Sequence, residues 1–211
     1  WSDSIAWYEN DGEASPTFTP ANLAVDIDSP QDLTLVDLNG DGHLDVIALS
    51  FYGNRVYWYE NDGATSPSFT EHPLATDVWR GADVEVADIN GDDHLDMVIA
   101  SDSSSNQLYW LQNHGLDYPT FTVHEIDLEH GRGTDVHIAD IDGDGDQDFA
   151  LASYHGDSIS WLSNQGGLEP TFKAHIIDAD SHNVEGIFVA DLDGDGDFDI
   201  VAGGNEDDGA I

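Results

Sequence analysis

The chain has 211 residues, of which 44 are acidic and four are basic, for a formal charge of −40. That balance excludes partners that are themselves polyanions, nucleic acid and anionic membrane surfaces, and it favours cations. With no cysteine there is no disulfide or thiolate site, and no stretch approaches the ~20 apolar residues of a membrane-spanning helix.

In chain order the elements read as short strands separated by turn residues. SIAWYEN at 4–10 and PTFTPA at 16–21 come first, then LTLVD at 33–37. An acidic stretch, DLNGDGHLD, occupies 37–45, and DVIALS follows at 45–50. VYWYEN at 56–61 and PSFTEH at 67–72 then repeat the opening pair. VEVAD (84–88), DINGDDHLD (88–96), DMVIAS (96–101), LYWLQN (108–113) and PTFTVH (119–124) run through the same series again. A third pass gives VHIAD, DIDGDGDQD at 140–148, DFALAS, ISWLSN and PTFKAH; a fourth gives IFVAD, DLDGDGDFD at 191–199 and DIVAGG. The acidic stretches start at Asp37, Asp88, Asp140 and Asp191, at steps of 51, 52 and 51 residues. Trp7, Trp58, Trp110 and Trp161 keep that phase, as do Phe18, Phe69, Phe121 and Phe172.

Three motifs in one phase define a unit of about 51 residues present four times. Each unit holds four short apolar strands punctuated by Gly, Asn, Asp and Pro, with no helical period. The expected fold is therefore all-β: a β-propeller of four-stranded blades forming a single domain over 1–211. The repeated Trp and Phe are expected in the core between blades. Trp1 falls inside the repeating pattern, so the sequence reads as a mature or trimmed piece.

The acidic loop follows D-x-[DN]-G-D-[GD]-x-x-D. Two carboxylates at about 4 Å repel by about 4 kcal/mol at an effective dielectric near 20, so this density calls for a counter-charge. Oxygen side chains stand at Asp37, Asn39, Asp41 and Asp45; Asp88, Asn90, Asp92 and Asp96; Asp140, Asp142, Asp144 and Asp148; and Asp191, Asp193, Asp195 and Asp199. Position 7 varies (His43, His94, Asp146, Asp197), which suits a backbone carbonyl ligand. An all-oxygen set with flexible geometry suits Ca²⁺ better than Mg²⁺. About four ions are expected, one per loop. Four copies in phase argue against a merely solvated acidic turn. An EF-hand is excluded, because its twelfth position would be Ala48, Ile99, Leu151 or Ala202 in place of Glu. Glycine at position 6 would allow a left-handed backbone; Asp93 replaces it in the second loop.

These DxDGDGxxD loops between short strands, with WYEN-like segments every 51 residues, resemble FG-GAP/VCBS repeats. That is the blade type of the integrin α-subunit head and of many secreted proteins. The resemblance covers essentially the whole chain. It implies a propeller with one calcium site per blade and an extracellular or cell-surface setting. It implies no single activity, since members include adhesion receptors, lectin-like propellers and domains attached to enzymes.

Outside the four loops 27 acidic residues remain, a surface resembling those of salt-adapted or marine proteins. His72, His124 and His175 recur three residues after the repeated Phe and read as structural. Arg80 and Arg132 are in phase, in RGAD and RGTD. They are expected to neutralise nearby Asp83 and Asp135, with a carboxylate ligand such as an acidic sugar as the alternative. No nucleophilic elbow, phosphate loop or HExxH is present, and no catalytic residue is assigned. The function expected is a binding or adhesion module for a glycan or protein. A calcium-dependent, polysaccharide-lyase-like enzyme (or a domain of one) and a structural surface repeat are the alternatives. The length of about four units favours a monomeric four-bladed ring in which residues 1–10 complete the last blade beside 199–203, with 206–211 overlapping 1–6. A segment of a larger propeller, or a dimer, is the alternative.

Overall fold

The structure, a computed structural model, describes residues 3–104, 107–115, 118–128 and 131–205, and among them only strands, turns and bends. A two-stranded sheet comes first, β1 (Ser4–Asn10) with β2 (Phe18–Val25). Sheet I contains β3 (Pro30–Val36), β4 (Asp45–Ser50), β5 (Arg55–Asn61) and β6 (Phe69–Ala75). Sheet II contains β7 (Gly81–Ala87), β8 (Asp96–Ser101), β9 (Gln107–Asn113) and β10 (Phe121–Asp127). Sheet III contains β11 (Asp135–Ala139), β12 (Asp148–Ser153), β13 (Ser158–Asn164) and β14 (Phe172–Asp178). A second two-stranded sheet ends the series, β15 (Val184–Ala190) with β16 (Asp199–Gly204). Every pairing is antiparallel between chain neighbours, the meander of a propeller-like blade.

The sheets pack face to face in chain order, and period-two alternation divides each second strand between two cores. In β4, Val46 and Ala48 face the first two-stranded sheet, while Ile47 and Leu49 face sheet II. Val98 and Ala100 of β8 meet Phe149 and Leu151 of β12; Ala150 and Ala152 on the other side of β12 meet Val184, Ile187 and Val189. Buried on both faces, β4, β8 and β12 read as continuous apolar runs. Truncating Ile47 or Leu151 to Ala would cost about 2–5 kcal/mol.

The in-phase histidines are structural cross-strand partners. His72, His124 and His175 lie opposite Trp58, Trp110 and Trp161, with ring centroids 4.6, 4.4 and 4.5 Å apart. Phe69, Phe121 and Phe172 pack on the core shared with the preceding sheet. Phe18 departs from the core expected of the repeat and is 57% exposed, because among the described residues no sheet packs on its side of β2.

The expected closure is also corrected. Among the described residues β1 pairs only with β2, and β16 only with β15, so 4–10 do not sit beside 199–203. β1 and β2 carry Ile5 and Ala24 into a core against sheet I, at the other end of the stack from β16. The proposed overlap involving 206–211 lies outside the described residues.

Candidate functional sites

Two sets of functional groups lie at opposite ends of the blades. The acidic loops join the first and second strands of each unit. The links from second to third strand, and from one sheet to the next, gather at the other end.

At the acidic end, glycines at position 4 (Gly40, Gly91, Gly143, Gly194) all have positive φ. Position 6 is left-handed as well: φ is 89° at Gly42, 98° at Gly145, 99° at Gly196 and 67° at Asp93. The chain thus curls so that side chains at positions 1, 3 and 5 turn inward. In the first loop they hold the loop's own amides: Asp37 accepts from the N–H groups of Asp41 and Gly42, and Asp41 accepts from His43. Asp88 of the second loop accepts from Gly91, Asp92 and Asp93. In the third loop Asp140, Asp142 and Asp148 bring carboxylate oxygens within 4.8 Å of one another, as do Asp191, Asp193 and Asp195 in the fourth. Oδ1 of Asp140 is buried without a hydrogen-bond partner. An all-oxygen donor set with an unfilled buried acceptor fits a hard cation. The first two loops form no such trio among the described residues. At position 7 the side chains of His43, His94 and Asp146 lie over Gly63, Gly115 and Gly166, where any added Cβ would collide with them.

The last residue of each loop is an anchor as well as an expected ligand. Asp45, Asp96 and Asp148 are fully buried. Each accepts the N–H of an asparagine across the sheet, Asn61, Asn113 or Asn164, at 2.8, 2.7 and 2.8 Å. Burial pushes all three carboxyls up, Asp96 to about 6, against the downward pull of those amides. The same asparagines donate Nδ2 to the loop carbonyls of Leu44, Leu95 and Gln147. The sequence reading assigned them no role, although their signal, the final Asn of WYEN, WLQN and WLSN, repeats in phase.

A second missed set joins the sheets. Asp32 accepts the N–H of Val84 (3.1 Å), Asp83 that of Val136 (2.9 Å) and Asp135 that of Ile187 (2.6 Å). Each is an inner-strand carboxylate latched to the next sheet, lining a central cavity of about 600 Å³. Burial, with Asp135 in hydrogen-bonding reach, raises Asp83 to about 8.

That assignment corrects the expected role of the arginines, which do not serve Asp83 and Asp135. At the end opposite the acidic loops both turn to Asp102. Arg80 Nη2 donates to Asp102 Oδ2 at 3.0 Å, and Arg132 Nη1 stands 3.6 Å from Oδ1. Arg80 is fixed in place: it has φ 49°, its N–H donates to Asn54 Oδ1, its carbonyl accepts from Asp102, and its guanidinium lies 4.6 Å over Phe51. At this end of sheet II the two arginines border a cleft of about 480 Å³ with Trp79, Ser104, Gln107 and Glu125, Arg132 reaching it from the link to sheet III. Trp79 is 55% exposed. It has no counterpart in the other units, so the repeat could not flag it.

Four-stranded meanders stacked around a carboxylate-lined cavity, with an acidic loop at one end of each blade, define a class of propeller-like repeat proteins. Within that class the chain belongs to the FG-GAP-like repeat family, which it matches over 37–99, 88–151 and 140–202. Among solved structures it is similar to a lectin of Agrocybe aegerita, described as recognising non-reducing terminal N-acetylglucosamine. The likeness has a TM-score of 0.62 at 20% identity and covers 95% of this chain and 55% of that one. This chain thus spans about half the lectin's length, and at this identity the likeness concerns the fold. No curated protein matches.

Proposed function

We propose that the chain is a calcium-binding, sugar-recognising module of a secreted or cell-surface protein. The observation that carries this reading is the Trp79 cleft at the end of sheet II. An exposed indole there stands beside guanidinium, amide and hydroxyl groups on a rim held by backbone hydrogen bonds. Sugars present apolar ring faces and a fringe of hydroxyls, and a half-exposed aromatic with a few planar polar groups complements both. The lectin with a similar fold supports the reading. Calcium is assigned to the acidic loops, held by Asp140, Asp142, Asp144 and Asp148 and their counterparts in the other three. It would supply the positive charge that four crowded carboxylate sets lack. Its role is to stiffen the blades rather than to touch the sugar, because the loops lie at the opposite end from the cleft.

The test is a panel of immobilised terminal sugars probed with the calcium-loaded chain and with Trp79→Ala. Selective binding that falls at least tenfold in the variant is expected. Absence of binding to every sugar overturns the reading.

A further inference from the structure

We propose that the sugar taken by the Trp79 cleft carries a carboxylate, seated on Arg132 and Arg80 with its ring against the indole. The proposal rests on the glycan-binding reading and narrows it to a ligand class.

The argument begins with how few cations the chain has. Only Arg55, Arg80, Arg132 and Lys173 oppose 44 acidic residues. Two of these four come from the leading links of different sheets and meet at one carboxylate, and His155 Nε2 stands 3.6 Å from the same Asp102 oxygen. Neutralising Asp102 needs one of them, and Arg80 already holds its Oδ2. Among the described residues the Arg132 guanidinium makes no hydrogen bond, although its carbonyl accepts from Ser153 Oγ; Nη1 approaches Oδ1 only to 3.6 Å, and that oxygen has no hydrogen-bond partner. Its planar fork of donors is therefore available to an incoming acceptor. Two arginines against Asp102 and Glu125 leave the spot close to neutral on a chain that is otherwise strongly negative. Glu125, the carboxylate that lines the cleft, accepts from Gln107 Nε2 at 2.6 Å and so is turned toward that amide rather than toward Arg132.

A guanidinium fork matches a planar carboxylate in two parallel hydrogen bonds, a geometry that a hydroxyl does not satisfy. Trp79, at the rim of the same cleft, supplies a face for the sugar ring. The surrounding charge adds a restriction. A long polyanion would lay further charges along a repelling surface, whereas the charge of one terminal acidic sugar lies within a Debye length of the arginines, about 8 Å at physiological salt. The class expected is a terminal hexuronate on a neutral chain.

The experiment is calorimetric titration of the calcium-loaded chain at physiological salt with three probes. They are a glucuronate-terminated disaccharide, its methyl ester, and the corresponding glucose-terminated disaccharide. The acid should bind at least tenfold tighter than either neutral probe, and Arg132→Gln should abolish that preference. Asp102→Asn, which removes the competing carboxylate, should strengthen acid binding. Equal binding of acid and ester by the unmodified chain overturns the proposal without any variant. Equal binding that still depends on Trp79 leaves the glycan reading standing and this inference fallen; binding of no sugar, neutral probes of the panel included, removes both. A preference that survives in folded Arg132→Gln also overturns it.

Discussion

The third and fourth acidic loops, DIDGDGDQD and DLDGDGDFD, differ at two of nine positions, yet their last aspartates live in different environments. Asp148 is fully buried and accepts amides from Ile141 and Asp142 of its own loop and from Asn164 across the sheet. Asp199 is exposed and, among the described residues, accepts from Leu192 of its own loop alone. Two differences separate them among the described residues: none forms a third strand beside β16 to bring an asparagine, and none covers its outer face, where Val201 and Phe188 are exposed. The loop closes on itself from local sequence. The buried wall that fixes the last aspartate of the third loop is built by residues from β13 and from a neighbouring sheet.

Removing calcium should give the largest effect. A ligand binding only the folded state adds about 2.7 kcal/mol per site at 100 times its dissociation constant. For a chain of this size each kcal/mol moves Tm by about 2–4 °C. Loss of the ions should therefore lower Tm by on the order of 10 °C or more, measured by calorimetry after chelation and elemental analysis. The comparison is sharpened by single-loop variants: Asp142→Ala should remove more of the calcium-dependent shift than Asp193→Ala, because of these two loops the third alone has its last aspartate held by a cross-strand asparagine. Equal losses would break the contrast.

Next in size is the anchoring asparagine. Asn164 is fully buried, with Nδ2 donating to Ile89 and Gln147 and Oδ1 accepting from Gly166. Asn164→Ala leaves these groups unpaired and should cost about 3 kcal/mol. Asn10 holds the same place in the repeat, but among the bonds of its side chain in the structure only the exposed one from Gly12 recurs. Asn10→Ala should cost less than about 1 kcal/mol in the same denaturant series.

A pH effect should come from the central cavity. Burial raises Asp83 to about 8 in the folded chain, while an unfolded Asp titrates near 4. The folded state therefore holds a proton that the unfolded state has released, and stability falls as pH rises from about 4 to about 8. The facing ionisable groups are Asp32, Glu85, Asp135 and His137. Asp83→Asn keeps an acceptor for the Val136 amide and removes the titration. It should match the unmodified chain near pH 4.5 and exceed it near pH 8.5; parallel curves would contradict the assignment.

The smallest effect expected is at Asp93, whose φ of 67° departs from the position-6 pattern only in residue type. Asp tolerates that region less well than Gly. Asp93→Gly keeps the backbone amide that donates to Asp88. It should change stability by under about 1 kcal/mol, upward, in thermal melts; a clear loss would assign the Asp93 side chain a role of its own.

What the sequence determined by itself was whatever repeats within a unit or depends on local backbone freedom. Period-two apolar runs set the strands, glycines at positions 4 and 6 set the left-handed curl of each acidic loop, and the Trp–His pairs follow from antiparallel register two strands deep. What depended on meeting a neighbour was decided only by tertiary structure. Phe18 and Trp7 share the phase of core residues, but burial needs a second sheet, and among the described residues a sheet packs against theirs on one side only. The expected pairing of β1 with β16 failed because hydrogen bonds between edges require the edges to meet, and length in whole units does not ensure that. Arg80 and Arg132 looked like counter-ions for the aspartates nearest in sequence. Folding instead gave those aspartates to the amides of the next sheet and drew the arginines to Asp102 at a junction between two sheets. Charge partners are chosen by distance in space and by desolvation, and neither is written in the spacing of a repeat.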